Sequence, residues 1–238
     1  MEVTGPHEQT REGPMAESSE HQQEKAAQEL SNYVLARMKQ GKDKRAIAAE
    51  MKEDGVVHEE ADRVVGKMYD AILAAARKER FAPDSWQSAL LGGLGAAILG
   101  GVIWGLVIIY TGFEAGLVAW ALGWFCGWAV VKLTGGKKGL QAQAVAIVSS
   151  LLGILLGKYI AFYHFLTEAV TEEHGAEAAA EISIFSGAVI EEFFMSIGDM
   201  LEPLDFFFVA AAIYTAWSLT RGLGVKAPDT GVPPELLK

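Results

Sequence analysis

Residues 88–110 read SALLGGLGAAILGGVIWGLVIIY, 23 positions without a single charge. About 20 apolar residues rising about 1.5 Å each cross a hydrocarbon core of about 30 Å, so the run is long enough to span a bilayer. Ala89, Gly93, Ala97, Gly101 and Gly105 recur at every fourth position. One helical turn apart, they make a smooth face on which another helix backbone can approach closely. The stretch predicts a membrane protein built for tight helix packing.

Charge is distributed to match. Of 238 residues 51% are apolar, yet the formal net charge is −10. Residues 1–85 hold 17 of the 30 acidic and 13 of the 20 basic side chains, whereas residues 86–165 carry only Glu114, Lys132, Lys137, Lys138 and Lys158. A soluble head therefore precedes a membrane body. One cysteine, Cys126, excludes an intrachain disulfide and a multi-cysteine metal cluster, and within an apolar run it reads as a small buried hydrophobe. Residues 1–21 are polar and are expected to form a disordered tail, which leaves the first apolar run to act as the membrane-targeting segment.

Residues 22–85 read as three short helices. Ala26, Leu30, Tyr33, Val34 and Met38 recur at helical spacing, and Gly41 supplies a stop. Asp43 can cap a second helix carrying Ile47, Ala48 and Met51, which ends at Gly55. A third begins near His58 with Glu59, Glu60 and Asp62 at its positive end, and lines up Ala61, Val64, Val65, Met68, Ile72 and Leu73. The string IAAEMKEDGVV suggests a helix-turn-helix, but its would-be reading helix is acidic where phosphates demand Lys or Arg, so no nucleic acid partner is expected. Two readings remain for residues 22–80: a cytoplasmic module that docks a protein partner or oligomerises, or a folded stub without one.

Three further spans follow. Residues 114–133 repeat the ladder with Ala115, Ala119, Gly123 and Gly127, beside a stripe of Trp120, Trp124 and Trp128 that suits lipid or helix packing, or alternatively ligand stacking. Residues 141–165 place Ser149, Gly153, Gly157 and Ala161 four apart, and residues 204–219 make a short fourth span that barely crosses. Basic residues are retained on the cytoplasmic side. Arg77, Lys78 and Arg80 precede span one, Lys132, Lys137 and Lys138 join spans two and three, and Arg221 and Lys226 follow span four. Residues 166–205 contain ten acidic residues and no Lys or Arg, so both termini are expected in the cytoplasm and this connection outside. Residues 223–238, with three prolines, read as a second disordered tail.

The external loop, residues 166–203, is far longer than a turn requires. Its first part, 167–181, reads as a helical extension of span three into water. Its second, 182–201, reads as an amphipathic helix with Ile182, Phe185, Val189, Phe193, Ile197 and Leu201 on one face. His164, Glu168 and Glu172 are four apart, a spacing a divalent metal can use, although a solvated acidic face has the same pattern. Lys158 is the one charge well inside a span. It either reaches the interface or pairs with Glu114, Glu202 or Asp205, or else it lines a polar pathway with Ser149 and Ser150.

The runs EAGLVAWALGWFCGWAVV (114–131) and LLGILLGKY (151–159) resemble Gly-rich helical pairs of uncharacterised prokaryotic multi-span membrane proteins, over roughly residues 88–160. The resemblance implies a helical membrane fold and a bacterial inner membrane, and no activity. No G-x-S-x-G, H-E-x-x-H or phosphate-loop motif occurs, nor any cofactor motif. The expected fold is all-α: a four-span bundle with a cytoplasmic three-helix domain and an extracytoplasmic amphipathic helix. The expected function is a non-enzymatic scaffold or sensor that contacts the bilayer and assembles with itself. The alternative is a small oligomeric channel or transporter with an acidic vestibule, and an intramembrane enzyme would need His164 to line a substrate cavity.

Overall fold

The computed structural model describes residues 14–112 and 116–225, and these residues are α-helical, with a single isolated bridge between Arg80 and Lys138. Among them the helices are α1 (Pro14–Lys39), α2 (Lys44–Glu53), α3 (His58–Glu79), α4 (Ser85–Thr111), α5 (Gly116–Leu133), α6 (Leu140–His174), α7 (Ala176–Ala180), α8 (Gly187–Ser196) and α9 (Pro203–Thr220). The described residues divide into two compact units, 14–76 with Val225, and 77–112 with 116–224.

The first unit is a small bundle of α1, α2 and the body of α3. Val34, Met38, Ile47, Ala48, Val65 and Ile72 form its buried centre, flanked by Leu30, Tyr33, Met51, Met68 and Leu73 and joined by Val225. The predicted cap is present: the Asp43 carboxylate accepts a hydrogen bond from Ala46 N at 2.8 Å, satisfying a free donor at the start of α2. Glu50 receives Arg37 Nε at 2.9 Å and also pairs with Lys42, so these two cations hold its carboxyl below the usual carboxylate range, Lys42 contributing most. Residues 14–21, expected within a disordered tail, instead form the first turns of α1, because the segment from Met15 to Lys39 contains no Gly or Pro to break a helix.

The second unit holds four helices long and apolar enough to cross a membrane: α4, α5, α6 and α9. The central pair, α5 and α6, touch each other, and α4 and α9 each pack on both. The contacts are made by small residues. A Cβ added to Gly101 would lie 2.6 Å from the carbonyl oxygen of Gly153, and one added to Gly153 would lie 3.0 Å from that of Ala97. Gly93 faces Ser149 and Gly105 faces Gly157, while on the other side Gly123 meets the backbone of Ala212 and Gly127 that of Ala216. Large side chains point outward, among them Leu91, Ile98, Leu99, Leu117, Val148 and Leu152, leaving an apolar perimeter. Ala115 and Glu114 lie outside the described residues, as do residues 1–13 and 226–238 of the two expected tails.

The long connection departs from expectation in two places. α6 was expected to continue to residue 181 but ends at His174, because Gly175 takes φ 89, a left-handed conformation that Gly adopts without steric cost. The amphipathic helix expected over 182–201 is confined to α8. Before it Ser183 forms a local turn, its carbonyl accepting Ser186 N at 2.9 Å and its hydroxyl accepting Phe185 N at 3.3 Å. Such side-chain bonds compete with the helix. Phe185 is left 87% exposed, outside the apolar face on which Val189 and Phe193 are buried.

Candidate functional site

Polar chemistry in the second unit collects at the two ends of α9. At its start, Lys158 of α6 is 2% exposed, and its Nζ lies 3.1 Å from Asp205 Oδ2 and 3.3 Å from the Met200 carbonyl oxygen. The same Asp205 oxygen accepts a hydrogen bond from Glu202 N at 3.1 Å. A buried ammonium is costly in an apolar surrounding unless paired and hydrogen-bonded, and here both conditions hold. Of the three carboxylates open to Lys158 from the sequence, Asp205 is the one in contact among the described residues.

The chain reaches this point by folding back along α6. Tyr163 donates its hydroxyl to the Ile182 carbonyl oxygen at 2.9 Å and Tyr159 donates to that of Ile184. Phe193 of α8 then packs edge-on against Tyr159, ring centres 5.2 Å apart, and lies 5.5 Å from Phe162. Sequence reasoning missed this clamp, because Tyr159 and Tyr163 carry no pattern that separates them from other aromatic residues of an apolar helix. Their i, i+4 spacing was the available signal.

The remaining candidates are dispersed. The Ser149 side chain sits against Gly93, and the Ser150 hydroxyl donates back to the Ile147 carbonyl oxygen at 2.8 Å. Both lie eight or nine residues from Lys158, about 12 Å along the helix. Glu168 and Glu172 are exposed and His164 is half-buried beside Phe165; among the described residues no three His, Cys, Asp or Glu side chains converge to hold a metal. Trp120, Trp124 and Trp128 are 41–49% exposed on the perimeter, with Trp120 Nε1 donating to Thr215 Oγ1 at 2.9 Å. Trp104 is buried in the core, and its indole N–H has no acceptor among the described residues.

At the other end of α9 the turn between α5 and α6 meets the last residues of α3. Lys138 N donates to the Glu79 carbonyl oxygen at 2.7 Å, Lys137 Nζ to that of Lys78 at 2.9 Å, and Gly139 N to that of Thr220 at 3.0 Å. Lys138 Nζ also pairs with Glu79 Oε1 at 3.1 Å. No protein family, no curated protein and no solved structure matches the chain.

Proposed function

We propose that this is a non-enzymatic integral membrane protein of a bacterial inner membrane, a scaffold or sensor that couples a cytoplasmic helical head to the bilayer. One observation carries the reading. The core of the head is built from α3, which runs on to Glu79 just before the first apolar helix, and from Val225, five residues after the last one ends at Thr220. The head is thus held by chain from both ends of the four-helix segment, and a strain in that segment is transmitted to it covalently. The collection of Arg77, Lys78, Lys132, Lys137, Lys138 and Arg221 in segments that meet at one end of the bundle supports a cytoplasmic placement of both termini.

The small-residue faces named above are occupied by helices of the same chain, so self-assembly uses the perimeter or the head. A protein partner would dock through residues 22–80. A channel or transporter is the second reading, supported by the intramembrane charge pair and by the acidic residues of the connection.

The test uses the full chain in nanodiscs of short and long acyl chains, with hydrogen exchange read over residues 30–73. Mismatch between helix and bilayer thickness should alter head protection, and a flexible insertion after Gly222, which loosens one of the two connections, should reduce the change. Identical protection in both bilayers refutes coupling. Ion flux through vesicles that Asp205→Asn removes would favour the channel instead.

A further inference from the structure

Three basic segments far apart in sequence come together at one end of the second unit: residues 77–80, residues 132–138 and Arg221. The bonds from Lys137 to Lys78, from Lys138 to Glu79 and from Gly139 to Thr220 fix that convergence. Together the segments hold seven cationic side chains and one carboxylate, Glu79.

The charges are not equivalent. Lys138 is half-buried, and its ammonium is compensated by Glu79 Oε1 at 3.1 Å, so it belongs to the fold. Lys137 donates to the neutral Lys78 carbonyl oxygen rather than to a carboxylate. Lys132 and Arg221 are exposed, the latter with its guanidinium 4.9 Å from the centre of the Trp217 ring.

Where this surface lies identifies its occupant. Trp217 is in the last turn of α9, and Trp86, edge-on to Phe81 at 5.3 Å, is in the first turn of α4. Indole rings at the ends of apolar helices mark the edge of the hydrocarbon. A cation cluster at that edge is level with lipid phosphates, whose acyl chains can lie along the exposed apolar perimeter. An acidic protein segment would match the charge but not this continuity with the apolar sides.

We infer that this end of the bundle binds the headgroups of anionic phospholipids, through Lys132, Lys137 and Arg221, while Lys138, paired with Glu79, serves the fold and not the lipid. The inference rests on the membrane-spanning reading and is independent of head coupling.

The experiment takes the full chain purified in detergent, supplied with equal phosphatidylcholine and phosphatidylglycerol, and counts retained lipids by native mass spectrometry. Phosphatidylglycerol should be retained preferentially. The variant K132Q/K137Q/R221Q should lose that preference by roughly tenfold or more, since each cation near such a surface contributes appreciably. Salt at about 0.5 M should weaken it as well. K138Q should lower the unfolding temperature while leaving the preference intact. Equal retention of the two lipids, an unchanged preference in the triple variant, or displacement of the lipid by inorganic phosphate would overturn the site. A chain that alkaline carbonate strips from native membranes would instead overturn the membrane-spanning reading.

Discussion

Two glycine-to-alanine substitutions in neighbouring helices should move stability in opposite directions. At Gly123 an added Cβ would fall 2.6 Å from Ala212 Cα, whereas ordinary contacts begin near 3.4 Å. The obstacle is backbone, so no rotamer change relieves it, and α5 and α9 must separate by close to 1 Å. Overpacking of this kind costs about 1 to 3 kcal/mol, and the better helix propensity of Ala returns at most about 1. Gly123→Ala should therefore lower stability by about 1 to 2 kcal/mol. At Gly95 nothing lies within 4 Å of the added atom, so Gly95→Ala meets no clash and keeps only the propensity gain. Gly127→Ala, whose Cβ would lie 3.3 Å from Ala216 Cα, should fall between the two. Unfolding of the purified chain by SDS in mixed micelles reads all three. Equal shifts for Gly123 and Gly95 would refute the reasoning. A change in particle mass at Gly123 with unaltered unfolding would show that the face is covered by a second copy.

Asp205→Asn takes a carboxylate partner from the buried Lys158 ammonium and should cost about 3 kcal/mol, most of which K158M/D205L should restore; strictly additive effects in a double-mutant cycle would count against the pair. Glu50 has its folded pKa depressed by Lys42 and Arg37, so its contribution to the head is present above the unfolded value of about 4.3 and is lost as pH falls through the lower folded one. Circular dichroism of the full chain should show acid unfolding of the head below about pH 4 that Glu50→Gln makes shallower, and an unchanged acid limb would contradict this.

The apolar helices were readable because each signal is local. Twenty-three uncharged residues ending at Tyr110 leave no alternative to a long apolar helix, and the structure extends that run by three residues at one end and one at the other, to Ser85–Thr111. The head was readable for the same reason, since Asp43, Gly41 and Gly55 act on their own neighbours. What each face meets was not readable. Gly93, Ala97, Gly101 and Gly105 share a face by spacing alone, and spacing is silent on whether α6 of the same chain or another chain covers it. The return path of residues 182–202 was hidden for a further reason: it is set by hydroxyls of Tyr159 and Tyr163 meeting carbonyls about twenty residues away.

That return path explains why a costly ion pair sits at this position. In lipid, apolar contact alone gives helices little reason to associate, because hydrocarbon solvates Leu as well as another helix does. α9 is the least enclosed of the four apolar helices and meets α5 through Gly and Ala, which make short but weakly directional contacts. Polar bonds at its ends supply the direction. At one end Asp205 joins Lys158 to the first turn of α9; at the other the Thr220 and Trp217 carbonyl oxygens accept Gly139 N at 3.0 Å and Gln143 Nε2 at 3.3 Å. About 27 Å of α6 separates Leu140 from Lys158, close to the 18 residues of α9 at about 1.5 Å each. A slip by one turn would break both ends together and take the Asp205 carboxylate from Lys158. The pair therefore fixes the register of α9 on α6, a role that accounts for its burial.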